Sequence, residues 1–283
     1  MSFLDLSAGT VLGNRYRIVG PHRQGGLSAV LEVHDQEGDQ RYELQVFPAG
    51  LFDRTTQVAE FAKDLEPWAA VQSEWVVTTR ELLTLDDAHI ALVTEFPAGQ
   101  SLRQRLNETE ILPESEVLVL GLRLLEGLAA IHEAGLVHGD VKPAAVFVAD
   151  GPTGPQPTIV DGGVTPGLWH AKGIGERTTL IGTPYYAPVE QFGGDAPTVG
   201  SDVYNVATVL YECLTGVLPW PGKTFLEVFQ AKLQKVPPTM GERAPGISVD
   251  PQLEAVVTQG CRADRHERYA SAEEFRDALA ALA

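Results

Sequence analysis

Apolar and polar residues change rhythm twice along this chain. From residue 9 to 96, residues 15–19, 29–34 and 42–47 have strand-like content, and Gly-rich or polar turns such as Glu37, Gly38 and Asp39 separate them. Residues 57–71 switch to helical spacing, with Val58, Phe61, Ala62, Leu65, Trp68 and Ala69 on one face and charge on the other. Residues 90–96 read as a further strand. Beyond 97–99 helices take over. The periodicity predicts them over 114–134, 203–215, 251–260 and 271–282. Ser271 with Glu274 three residues later suits a capping box. Two short strands, 146–148 and 158–160, lie between the first two of these helices. The pattern predicts an α+β protein: a small β-rich lobe with one main helix over 1–96, and a larger helical lobe over 97–283. No repeat or low-complexity tract interrupts it.

Charge narrows the partners. Of 283 residues, 21 are Lys or Arg and 38 are Asp or Glu, for a formal net charge of −17. Such a surface repels phosphate backbones and anionic lipid, so neither nucleic acid nor a membrane surface is an expected partner. The apolar share, 44%, is ordinary for a globular protein. Cys213 and Cys261 lack C-x-x-C spacing and fall in apolar helical segments, which predicts buried free thiols in a reducing compartment. No stretch approaches the roughly 20 apolar residues of a membrane span. Residues 1–8 lack the basic and apolar regions of a signal peptide. A cytoplasmic location is the expectation.

The motifs carry a resemblance. Gly9-Thr10-Val11-Leu12 followed by Arg15-Tyr16-Arg17-Ile18 looks like the entry to the first strand of bacterial Ser/Thr protein kinases. Gln24-Gly25-Gly26-Leu27-Ser28-Ala29-Val30 resembles the glycine-rich loop, and His138-Gly139-Asp140-Val141-Lys142-Pro143 the catalytic loop. Asp161-Gly162-Gly163 stands where the family has Asp-Phe-Gly. Gly182-Thr183-Pro184-Tyr185-Tyr186 with Glu190 resembles the end of the activation segment. Ser201-Asp202-Val203-Tyr204 through Gly216, with Pro219-Trp220, looks like the central helix of the large lobe, and Asp264 to Arg268 the approach to the last helix. In this order and spacing the matches are specific for the fold, and they imply a two-lobed kinase domain. They do not by themselves imply activity.

Family kinases grip phosphate with a strand lysine paired to a helix glutamate, hold metal with an Asp and an Asn, and use a catalytic-loop Asp as base. Here Gln45 stands at the lysine position, and Lys63, on the helix, is the only lysine before the hinge. Losing one preorganised donor to a developing anion costs about 3–4 kcal/mol. Asp64 stands at the glutamate position. Ala145 replaces the metal-binding Asn, which leaves Asp161 as the remaining metal ligand. Arg23 and Ser28 replace the outer glycines of the loop, leaving Gly25 and Gly26. Asp140, Lys142 and Thr183 are kept. Glu190 with Arg268, and Asp202, are expected to stabilise the fold.

The resemblance places Gly25, Gly26, Val30, Glu43, Gln45, Glu95 and Phe147 around a nucleotide. Alternation along the strand turns Glu43 to the same side as Gln45. A carboxylate there, where the family has a small Ala, predicts a partly filled pocket with Phe147 as its floor. Alternatively Glu43 turns to solvent, or pairs with Arg41 or Arg23, and Arg23 could also serve as a substitute cation for phosphate. Trp68 is expected to fill the space left by Gly162, the Phe position. Gly139 replaces the Arg that reads activation-segment phosphate, so Thr178 and Thr179 would lack that partner, although another kinase could modify them. These departures together predict a pseudokinase that binds or regulates protein partners through its activation segment or large-lobe helices, with no cofactor. The alternatives are an active Ser/Thr kinase using ATP with Mg2+, Asp140 and Asp161, or a nucleotide binder without transfer.

Overall fold

The computed structural model describes residues 5–85, 89–173 and 183–283. Its first lobe is a six-stranded antiparallel sheet in the order β1-β2-β3-β4-β6-β5, formed by β1 (Val11–Leu12), β2 (Tyr16–Gln24), β3 (Ala29–Asp35), β4 (Arg41–Phe47), β5 (Thr79–Thr84) and β6 (Ile90–Glu95). Six of the seven β4 residues are buried, because β4 lies between β3 and β6 with both faces covered. Tyr16, Ile18, Leu31, Val33, Leu44 and Val93 close the core on one face. Phe47 on the other face packs edge-on against Phe61 of α1 (Thr55–Leu65), centroids 4.9 Å apart. The expected helix over 57–71 is shorter than its periodicity suggested. Pro67 cannot donate to the helical ladder, so the chain tightens at Glu66–Ala70 into a 3-10 turn that carries Trp68.

The second lobe is built on α3 (Glu114–Glu133) and α6 (Val199–Thr215). Every α6 residue from Ser201 to Thr215 is buried, as befits a helix surrounded by others. Around it lie α5 (Val189–Phe192), α7 (Phe225–Lys232), α8 (Met240–Arg243), α9 (Pro251–Gly260) and α10 (Ala272–Ala280), the last capped by Ser271 Oγ accepting from the Glu274 N–H. Arg268 donates to Glu190 at 2.7 and 2.9 Å, its side chain fully buried. Asp202 accepts from the backbone N–H groups of His138 and Gly139 at 2.8 and 2.7 Å, tying the catalytic-loop segment to α6. A small sheet of β7 (Gln100–Ser101), β8 (Val146–Gly151) and β9 (Gly154–Ile159) lies beside α2 (Leu102–Thr109). Both cysteines are free and buried. Among the described residues no helix is long and apolar enough to cross a membrane.

The periodicity predicts none of α2, α5, α7 and α8, nor a further helix that packs on the first lobe. The chain after Gly163 forms α4 (Val164–Ala171), whose Thr-Pro-Gly content favours no helix. It forms because it packs on α1: Phe61 lies against Gly167, and His170 Nδ1 meets Asp64 Oδ2 at 2.7 Å.

Candidate nucleotide cleft

The cleft between the lobes is shaped by an irregularity in β2. Successive strand residues normally face opposite ways. The β2–β3 register shifts between Pro21 and Arg23, and such a bulge re-aims side chains. As a result two consecutive residues, His22 and Arg23, reach the same carboxylate. His22 Nδ1 lies 2.8 Å from Glu43 Oε2, and Arg23 donates through Nε to Glu43 Oε2 at 2.9 Å and through Nη2 to Oε1 at 2.6 Å. Glu43 is only 2% exposed. Of its expected arrangements, the structure has the pairing with Arg23. Arg41 instead stacks on Phe96, 3.9 Å from the ring centroid.

Arg23 also crosses to the other lobe. It donates to both carboxylate oxygens of Asp161, at 2.8 Å from Nη1 and 2.6 Å from Nη2. Burial works against the charge on each partner, but the hydrogen bonds and opposite charge outweigh it. The Asp161 carboxyl is held below its ordinary value and the Arg23 guanidinium above its own. Asp161 sits at φ 65°, a left-handed conformation uncommon outside glycine.

Behind this pair the cleft is filled. Trp68 is 4% exposed and lies on the Gly162–Gly163 backbone. A Cβ on either glycine would come within 2.1 Å of the indole. The Trp68 ring meets His138 edge-on at 6.4 Å. Gln45, 5% exposed, donates to Ser28 Oγ at 2.9 Å. Asp64 is engaged by His170 and not by Gln45. The space among Glu43, Gln45, Trp68, Thr94 and Asp161 amounts to about 10 Å³, the least that holds one water.

The remaining sequence-predicted positions divide. Val30, buried on β3, pairs with Gln45 across the strands, and Phe147 is buried 5.8 Å below the Arg23 guanidinium. Gly25 and Gly26 form the β2–β3 turn, and a Cβ on Gly25 would fall 2.4 Å from Ser28 Oγ, so the turn closes on itself there. Glu95 lies at the end of β6, ion-paired with Arg80. Ala145 is buried in a 3-10 turn, Pro143–Ala145. Thr178 and Thr179 lie outside the described residues. The retained catalytic-loop positions come together: Lys142 Nζ donates to Asp140 and, at 2.8 Å, to Thr183 Oγ1, while the Thr183 N–H donates to Asp140 Oδ1 at 3.0 Å. In front of them a cavity of about 250 Å³ opens beneath Gly26, Leu27 and Ser28.

ATP with Mg2+, implied by the resemblance, does not fit these residues as arranged. Both Asp161 oxygens accept from Arg23, and Ala145 offers no ligand atom. The His22 ring packs on Phe96 and approaches Phe147, at centroid distances of 4.2 and 5.7 Å. The roles of His22 and of the Asp64–His170 pair escaped the sequence reading. For His22 a signal existed in its place beside Arg23, at the edge of a degraded glycine loop.

A family model described as "Protein kinase domain" matches residues 16–279. The chain is 30% identical over 275 residues to serine/threonine-protein kinase pkn2 of Myxococcus xanthus, covering 96% of this chain and 33% of that one. It is 27% identical over 268 residues to serine/threonine-protein kinase PknB of Mycobacterium leprae, covering 94% and 42%. It thus spans between a third and a half of these curated relatives. Among solved structures, the Mycobacterium tuberculosis PknI kinase domain superposes with a TM-score of 0.74 at 19% identity, covering 99% of this chain and 100% of that one. The fold is therefore the protein kinase fold.

Proposed function

Because the chain belongs to the protein kinase domain family, we propose that it works as a catalytically impaired, protein-binding or regulatory scaffold. One observation carries the reading: the Arg23 guanidinium is bidentate on Asp161, the one metal ligand that the family pattern leaves here. A metal ion would have to displace a charge-assisted pair from a partly buried carboxylate. The filled space beneath Glu43 and Trp68, and Gln45 in place of the phosphate lysine, support the same reading. The partner is a protein of unknown identity.

A second reading has its own observation. Asp140, Lys142 and Thr183 keep a fully connected network beside an open cavity, and this suits an active Ser/Thr kinase whose Arg23 swings aside for ATP with Mg2+. Nucleotide binding without transfer is intermediate between the two. Transfer of labelled γ-phosphate to a generic protein substrate and to the chain itself discriminates them. The proposal expects no transfer above that of Asp140→Asn. Transfer that Asp140→Asn abolishes would establish the kinase.

A further inference from the structure

Helix α7 is apolar on the side that faces water as well as on the side that faces the lobe. Val228 and Lys232 turn its inner stripe into the protein and are buried. Leu226 and Leu233, seven residues apart and therefore on one outer stripe, are 59% and 57% exposed. Phe225, also exposed, stacks on Phe192 beside them. Exposed Val236 follows at one end, and exposed Tyr185 lies at the other, its hydroxyl donating to the Lys223 carbonyl at 3.5 Å. Nine large apolar side chains are exposed among the described residues, and five of them gather here, so this is a patch and not scatter. Its base is fixed, because Lys232 Nζ ties the Pro184, Tyr185 and Ala187 carbonyls to α7. A helix that is apolar on opposite sides is ordinarily buried on both, and α7 is covered on one.

Charge selects what covers the other. The chain carries −17 overall, yet exposed Lys223 and Lys235 flank this stripe, and neither ammonium enters an ion pair among the described residues. Glu227, the one acidic residue between them, already accepts from the Lys223 backbone N–H at 2.7 Å. Charges more than about 8 Å away are largely screened at physiological ionic strength, so the two lysines set the local sign. We infer that the outer stripe of α7 docks an amphipathic helix of a partner protein, its apolar side laid on Leu226 and Leu233 and its flanks acidic. A second copy of the chain is disfavoured, since a two-fold pairing of this patch with itself brings lysines of one sign together. The inference deepens the scaffold reading and rests on it for the meaning of the contact, while the binding itself is measured without reference to the cleft.

The test uses the full chain and two labelled helical peptides with the same leucine stripe, one flanked by Glu and one by Lys, read by fluorescence anisotropy. The Glu-flanked peptide is expected to bind saturably, at least about tenfold more tightly than the Lys-flanked one. Leu226→Ser/Leu233→Ser should weaken that binding by at least about tenfold. Lys223→Glu/Lys235→Glu should reverse the preference between the peptides. All four side chains are exposed, so both variants should keep the wild-type circular dichroism and thermal midpoint. Failure of the Glu-flanked peptide to bind, or binding that either variant leaves unchanged, overturns the inference. Self-association in sedimentation that Leu226→Ser/Leu233→Ser abolishes would assign the face to a second copy and overturn it as well. Phosphoryl transfer that Asp140→Asn abolishes counts against the scaffold reading and leaves the docking surface standing.

Discussion

Removing Arg23 should do more damage than its place in a surface hairpin suggests. The side chain is 12% exposed, and its partners Glu43 and Asp161 are 3% and 21% exposed. Breaking a buried ion pair from one side costs about 3–5 kcal/mol, because the other charge stays behind unpaired. Partial exposure of Asp161 puts Arg23→Ala near the lower end, about 3 kcal/mol, and Asp161→Ala at about 2 kcal/mol. The two changes remove one shared interaction, so the double variant should lose at least about 1 kcal/mol less than the sum. Urea unfolding of the four proteins, with the slope of each transition checked, gives the cycle. The pair also predicts a direction with pH. Asp161 has a depressed carboxyl in the folded chain, so its contribution is present above the unfolded value of 3.8 and fades as pH falls through the lower folded one. Asp161→Asn should flatten that acid limb. Additive losses, within about 0.5 kcal/mol, would mean that Arg23 and Asp161 do not hold the lobes together as described.

Further consequences concern packing and a buried amine. Trp68→Ala should cost about 3–5 kcal/mol, since the indole lies on Gly162 and Gly163; a loss under about 1 kcal/mol in urea unfolding would contradict the packing. Gly162→Ala should destabilise the wild type and be better tolerated with Trp68→Leu, because its Cβ would fall within 2.1 Å of the indole. Lys232 lies between the Phe192 and Tyr204 rings and donates to the Ala187, Pro184 and Tyr185 carbonyls, while the nearby Glu190 is engaged by Arg268. Burial pushes its ammonium down to about 7 from 10.5. Between those values the unfolded chain binds more protons, so stability should rise with pH by up to about 1.4 kcal/mol per unit. Lys232→Met should remove that rise in denaturation curves taken across the range, and an unchanged rise would rule Lys232 out as its source.

The two lobes could be read from the sequence because strand and helix periods differ and because the motifs fall in family order. The loss of the strand lysine was equally plain, since Gln45 and Asp64 are single letters at fixed places. What fills the cleft was only half legible. Glu43 was expected to crowd the pocket, with Arg23 among its possible partners, but the choice depends on a bulge in β2. Register is a property of two strands, and one strand's letters do not disclose it. Helix α4 was invisible for a related reason: local propensity opposes it, and packing of Phe61 and Asp64 supplies what propensity lacks. The opposite error lengthened the main helix of the first lobe, where periodicity ran on through Pro67 although proline stops the ladder.

Calorimetric titration of the unaltered chain with ATP, in the presence and absence of Mg2+, bears most directly on whether the cleft is self-filled. With Arg23 on Asp161 and His22 against Phe96 and Phe147, no saturable heat is expected with either form, and no metal-dependent difference between them. Saturable binding that strengthens when Mg2+ is added would show that Asp161 is free to take a metal ion, and that these two side chains do not hold the cleft.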